Sequence, residues 1–319
     1  VARAIGGAGD AAGWVLAGAA GAVFATQAAG RTRSMVAAAA QTVAPHLWLA
    51  VAAIALRAVV RRRWAQAAVA ALVGAGGVGV LAPVVWPRQR VVPAAGGLRV
   101  ATVNLLYTNG ATSSIADDLL GRDLDVIVFT EYTAAHKEVL DDHPLAGALC
   151  HHIDREGPRA RGVAVWSRFP LAERARLPTV NHSVDAVVDG PDGAVRILGV
   201  HTPTPVYDFD EWIADLATIR AAVADPDGPT LVIGDFNATC WHPPMRAILA
   251  AGYVDAHLAG DRVLAASWPV DGARPGFAQL DHALVGGGLA ATAVDNFPVT
   301  GSDHRGVVVS VATRRRAAP

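Results

Sequence analysis

Apolar and polar positions divide the chain into two kinds of pattern. Residues 11–30, 34–56 and 64–87 contain no Asp, Glu, Lys or Arg. A helix needs roughly 20 apolar residues to cross the hydrocarbon core of a bilayer, so each stretch is a candidate span. The third is the cleanest, because Trp64 and Trp86 bracket it like an interfacial aromatic pair. The second carries Pro45 and His46 near its middle, ahead of the run Leu47–Leu56. The first, rich in Ala and Gly, is the weakest. From residue 98 the pattern changes to short runs dense in Val and Ile and bounded by Gly, Pro and Asp. These predict strands at Leu98–Leu105, Val126–Thr130, Gly162–Trp166, Ala194–His201, Thr230–Gly234, Leu280–Val285 and Gly306–Val311. Helical spacing puts Trp212, Ile213, Leu216, Ile219 and Val223 on one face of a helix over Asp210–Val223. A second helix is predicted over Pro243–Ala251, with proline near its start.

Charge follows the same division. Hydrophobic residues make up 52% of the chain and charged residues 17%, against roughly 25% charged in an average soluble protein. Residues 1–95 hold nine arginines and one acid, Asp10, whereas residues 96–319 carry 18 basic and 27 acidic residues. The expected organisation is a membrane region over 1–95, with two to three transmembrane helices, followed by a water-soluble catalytic domain over 96–319. Residues 88–97 read as a short linker. A soluble helical domain of that length with a single acid is the poorer alternative. Arg57 and Arg61, Arg62 and Arg63 lie between the second and third stretches, and positive loops stay cytoplasmic. That places the domain outside the cytoplasm, although Arg31 and Arg33 then lie on the outer side. Cys150 and Cys240 can form at most one bridge, which excludes a disulfide scaffold and a four-cysteine zinc site.

Polar residues recur at the ends of the predicted strands. Asn104 ends the first and Glu131 follows the second; His201 ends the run Ile197–Val200; Asp235 and Asn237 follow Leu231–Gly234. Asp281 and His282 follow Gln279-Leu280, and Ser302-Asp303-His304 precedes Arg305–Val309. Strand ends deliver their side chains to one rim of a sheet. Carboxylates, carboxamides and histidines gathered there are costly to leave unpaired, and point to a shared metal or anionic ligand.

The ordered set Ala101–Asn104, Phe129-Thr130-Glu131, Gly199-Val200-His201, Gly234–Ala238, Leu280-Asp281-His282 and Ser302-Asp303-His304 resembles the endonuclease/exonuclease/phosphatase superfamily. DNase I, abasic-site endonucleases, sphingomyelinases and inositol-polyphosphate phosphatases share that fold. The resemblance covers about residues 97–312, and Gly-Asp-Phe-Asn-Ala and Ser-Asp-His are its most specific pieces. Membrane-anchored bacterial members look most similar. The resemblance implies a four-layer α/β sandwich, two packed β-sheets flanked by helices, preceded here by the N-terminal transmembrane helical region. It also implies Mg²⁺ at one rim, with Mn²⁺ as an alternative. Glu131 is then the main metal ligand with Asn104 beside it, and Asp303 lies behind or ligates occasionally. Asp235 becomes the base, with Asn237 holding it or the phosphate. His304 and His201 become donors to the phosphate, and Asp281 orients His304. Leu106, Thr204 and Thr130 depart from nuclease patterns; none removes the core machinery, but they make carry-over from DNA-repair enzymes unsafe.

Other histidines weigh less. His151 and His152 with Asp154 suggest a metal clip, but neighbours on a strand face opposite ways. His136, His143 and His257 read as surface residues, and His282 as facing away from Asp281. The acidic domain lacks the basic platform that nucleic-acid binding favours. Arg155, Arg159, Arg161 and Arg168 form at most a local patch. The expected function is therefore a membrane-anchored, Mg-dependent phosphoric ester hydrolase. Its partners are the lipid bilayer and a phosphate ester, lipid-linked, with nucleic acid the lesser candidate. A membrane-tethered nuclease and a non-catalytic binding protein retaining the fold are the alternatives.

Overall fold

The computed structural model describes residues 2–85, 97–271 and 276–313, with side chains from residue 10 onward. Trp86, nearly all of the predicted linker and Arg314–Arg316 lie outside the described residues. The chain divides into two compact units, Val1–Trp86 with Cys240–Arg246, and Pro87–Thr239 with Ala247–Pro319.

The first unit contains α1 (Ala2–Ala28), α2 (Met35–Thr42), α3 (Ala44–Val60) and α4 (Trp64–Val85). Two of its helices, over Asp10–Ala28 and Trp64–Val85, are long and apolar enough to cross a membrane. A third span results if α2 and α3, bent by 65°, count as one. The uncharged stretch 34–56 is thus not one continuous helix. Pro45 sits in the first turn of α3, where its missing N–H costs nothing but where a through-running helix would lose a bond. Asp10 pairs with Arg57 and Arg63, each at 3.1 Å. The lone acid of the front half therefore ties α1 to the last turn of α3 and to the turn before α4.

The second unit begins with β1 (Leu98–Asn104), α5 (Thr112–Leu120), β2 (Val126–Thr130), α6 (Ala134–Asp141), α7 (Pro144–Ala148), β3 (His151–Arg155) and β4 (Val163–Ser167). It continues through β5 (Leu171–Ala175), β6 (Ser183–Gly190), β7 (Gly193–His201), α8 (Phe209–Ala222) and β8 (Thr230–Asp235). After α9 (Pro243–Ala250) come β9 (Val254–Asp255), α10 (Ala256–Ala259), β10 (Asp281–Gly286), β11 (Leu289–Pro298) and β12 (Arg305–Thr313). The strands make two six-stranded sheets, β11-β12-β1-β2-β4-β3 and β5-β6-β7-β8-β10-β9. Both are mixed: β1 runs parallel to β2 and β7 to β8, against antiparallel neighbours.

The sheets face one another across a core that includes Val100, Val128, Val165, Ile197, Leu231 and Ile233. A second cluster, with Ile115, Leu119, Leu140, Phe129 and Trp166, fills the other side of the first sheet. Central strands are covered on both faces, so they read as continuous apolar runs rather than alternating ones. The architecture is the α/β sandwich expected, two mixed sheets flanked by helices.

Candidate active site

Strand register gathers the predicted residues at one rim. His201, at the end of β7, pairs with Asp235 at the end of β8, and Asp235 pairs with Asp281 at the start of β10. Asn104 pairs with Thr130, one residue before Glu131. Gly234 lets β8 approach β7 closely: it has φ +144°, and a Cβ there would collide with the Val200 carbonyl.

A cavity of about 770 Å³ opens at this rim, lined by Glu131, His201, Asp235, Asn237, Asp303 and His304 among others. Seven described non-glycine residues have positive φ, and four of these, Leu106, Glu131, Arg159 and Asn237, line this cavity. Such backbone costs of order 1–3 kcal/mol per residue and concentrates where function requires it.

Asn104 and Asp281 are fully buried behind the lining. The Asn104 amide donates to Glu131 Oε1 at 3.2 Å and to Asp235 Oδ2 at 3.0 Å, while its oxygen accepts the Leu106 N–H at 2.9 Å. Asn104 thus bridges Glu131 and Asp235. The Tyr107 N–H holds the other Glu131 oxygen at 2.9 Å. Asp235 Oδ1 accepts the Asn237 N–H at 2.8 Å, and the Asn237 amide donates to the Thr202 carbonyl at 2.9 Å. His304 Nδ1 donates to Asp281 Oδ2 at 2.8 Å, which leaves Nε2 for a ligand. Asp303 accepts from the Trp268 indole at 3.0 Å.

Electrostatics sorts these groups into roles. Burial raises the Asp235 pKa, as does the charge of Asp281, against the opposing pull of His304 and His201. Burial alone would lower His304, but the charges of Asp281 and Asp235 and the hydrogen bond to Asp281 outweigh it, and its pKa is pushed up to about 10. His201 is lowered by burial and so stays neutral at neutral pH. Asn181 Nδ2 faces its Nδ1 at 3.4 Å. An amide donor there leaves the ring proton on Nε2, which lies 3.9 Å from Asp235 Oδ2.

The donor set suits a hard divalent cation. Glu131, Asp235 and Asp303 bring carboxylates to the one cavity. Asp281 Oδ1 is buried without a hydrogen-bond partner among the described residues, and ligand atoms of Asp235, Asp281 and His304 lie within 4.8 Å of one another. Carboxylate and carbonyl oxygens are what Mg²⁺ takes. Glu131 could also hold such an ion, since the Asn104 amide and the Tyr107 backbone N–H orient its two oxygens.

Several residues differ from expectation. His136 is buried, not at the surface; its ring faces the carbonyls of Glu131 and Asn109 at 3.2 and 3.3 Å. His257 is also buried, with Nε2 2.7 Å from Asn296 Oδ1. In both cases a local polar partner stands in for water. His282 does face away from Asp281, its Nδ1 2.6 Å from Asp255 Oδ2. His152 stacks on Trp166 with ring centroids 3.9 Å apart. Cys150 is exposed and Cys240 buried, and no disulfide joins them. Asn181, Trp268 and Tyr107 escape the sequence reading because none ends an apolar run; only fold geometry brings them to the rim.

The family model described as the endonuclease/exonuclease/phosphatase family matches residues 101–304. The chain belongs to that family. Among solved structures, an endonuclease/exonuclease/phosphatase from Beutenbergia cavernae superposes with TM-score 0.55 at 19% identity, covering 68% of this chain and 71% of that one. A D. rerio TDP2 complexed with single-strand DNA product gives 0.55 at 12% identity, over 68% and 100% of the two chains. The 3′ phosphatase NExo from Neisseria, bound to a product DNA hairpin, gives 0.50 at 18%, over 67% and 98%. At these identities the likeness is one of fold. No curated protein sequence matches the chain significantly.

Proposed function

We propose that the protein is a membrane-anchored, divalent-metal-dependent phosphoesterase that hydrolyses a lipid-linked phosphate ester or pyrophosphate outside the cytoplasm. The observation that carries this reading is the single cavity in which Glu131, Asp235, His201 and His304 converge. Glu131, with Asp303 and Asn104 close by, would hold Mg²⁺ or Mn²⁺, which when bound neutralises phosphate charge and stabilises the leaving oxygen. Asp235 accepts a proton from the attacking water as the new O–P bond forms and the ester P–O bond breaks. The leaving oxygen then takes its proton from solvent. The two bonds that Asp235 accepts, from Asn104 and Asn237, fix its carboxylate for that task. His304 presents a charged Nε2–H and His201 a neutral one to the phosphate oxygens, where negative charge grows. Asp281 keeps His304 charged.

The anchor and the domain's acidic balance favour a substrate at the bilayer over a nucleic acid. The DNA-bound fold relatives favour a tethered nuclease as the second reading. Full-length protein in lipid nanodiscs with Mg²⁺ separates the two. We expect phosphate release from lipid phosphates and no nicking of plasmid DNA. Nicking without lipid turnover would establish the nuclease, and no turnover of any phosphoester would overturn the enzymatic reading.

A further inference from the structure

The four arginines of the domain's local basic patch have different fates. Arg155 is engaged by Glu173, and Arg168 by Asp123 at 2.7 Å and Asp125 at 3.6 Å. Arg159 and Arg161 are exposed, line the catalytic cavity, and have neither a side-chain hydrogen bond nor an ion pair among the described residues.

The turn that carries them is fixed to the catalytic rim. Tyr132, next after Glu131, donates its N–H to the Gly162 carbonyl at 3.0 Å and accepts the Gly157 N–H at 3.2 Å. Gly162 is obligatory, since a Cβ there would collide with the Tyr132 carbonyl. Arg159 itself has φ +54°. His201 lines the same cavity as both arginines. Two uncommitted guanidinium groups are thus held, on strained and tethered backbone, beside the donors assigned to the scissile phosphate.

We infer that this turn recognises a second phosphate group, so that the substrate carries two: one cleaved at Asp235, His201 and His304, the other held by Arg159 and Arg161. This rests on the phosphoesterase reading. Guanidinium forks match phosphate oxygens in pairs, and they do so without reference to what the phosphate is attached to. Asp208 and Glu211 share the cavity wall. Asp208 is committed to capping α8, where it accepts the Glu211 N–H at 3.4 Å. Glu211 opposes an incoming anion and sets a counter-test.

The test uses full-length protein and two substrate pairs, each differing by one phosphate. The soluble pair is thymidine 5′-(p-nitrophenyl phosphate) and its 3′-phosphorylated form. The vesicle pair is phosphatidic acid and diacylglycerol pyrophosphate. Turnover of the single-phosphate members reports the phosphoesterase reading, and the ratio of kcat/KM within a pair reports this inference. The wild type should prefer the two-phosphate member by about 10- to 100-fold, the worth of one or two hydrogen bonds between charged groups. Arg159→Gln/Arg161→Gln should bring the ratio to near unity, and Glu211→Gln should raise it. A ratio that responds only in vesicles assigns the second phosphate to a lipid headgroup, and only in solution to a free ester. Single-phosphate turnover with a wild-type ratio near one, or a ratio the arginine variants leave untouched, overturns the inference alone. No turnover in either pair overturns both.

Discussion

At the scale of residues, the chemistry separates from metal binding. Asp235→Asn keeps the shape but removes the proposed base, and should cost about 10²- to 10⁴-fold in kcat. His304→Ala removes a charged donor, at roughly 10²- to 10³-fold. Neither loss should recover in excess Mg²⁺, whereas part of the loss in Glu131→Gln should, and initial rates against metal concentration check this. The pH profile follows from the same contacts. A base works deprotonated, so activity should fall as pH drops through the raised pKa of Asp235, above the ordinary carboxylate value of 3.8. A donor works protonated, so activity should also fall as pH rises through about 10, where His304 titrates. Asp281→Asn removes the main support of that charge and should move the alkaline limb to lower pH at saturating Mg²⁺, an unmoved limb excluding His304 as its origin. These residues were legible because each ends, follows or immediately precedes an apolar run. Asn181 was not, since it touches His201 only through the return of a loop. Nor was the burial of His136, whose ring faces two loop carbonyls, or of His257, whose partner Asn296 lies on β11.

Elements were legible in proportion to how thoroughly they are buried. β2 has the bounds its apolar run predicts, and β7 and β8 differ by one residue. The four edge strands, β11, β3, β5 and β9, left no such mark. An edge strand has one neighbour and bends to solvent, so its composition is less constrained; β5 is exposed along most of its length. β6 lies inside its sheet, yet Asp185 interrupts its pattern. Its charge is answered from β7 by Arg196, with both contacts at 2.8 Å. A second buried group, Asp255, ties β9 to β10 through His282. Burial would raise the Asp255 pKa, but hydrogen bonds from His257 and His282 and their charges overcome it and hold the carboxyl far below the usual range. A depressed folded pKa gives stability that is full above the unfolded value, 3.8, and lost as pH falls towards the folded one. Asp255→Ala should therefore destabilise the fold by about 3–5 kcal/mol near neutral pH. Denaturant midpoints should converge with wild type only in strong acid; a constant gap down to pH 2–3 (roughly the lower end of carboxylate titration) would assign the loss to packing.

The whole molecule joins a basic, apolar front to an acidic catalytic unit. If Arg61–Arg63 face the cytoplasm and three segments cross, a reporter active only outside the cytoplasm should work when fused after residue 319, and strong signal from a cytoplasm-only reporter would invert that topology. The position of the functional groups at strand ends carries a different consequence, about how such a molecule can change over generations. One residue gained or lost within β8 would turn Asp235 to the opposite face, because side chains alternate along a strand. Such a lineage would lose its chemistry in a single step. The turn bearing Arg159 and Arg161 hangs from Tyr132 by two backbone bonds, so a change of side chain between its glycines leaves β8 in register. If Arg159 and Arg161 select and Asp235 cuts, as proposed, descendants can exchange what they select while inheriting unaltered the means of cutting it.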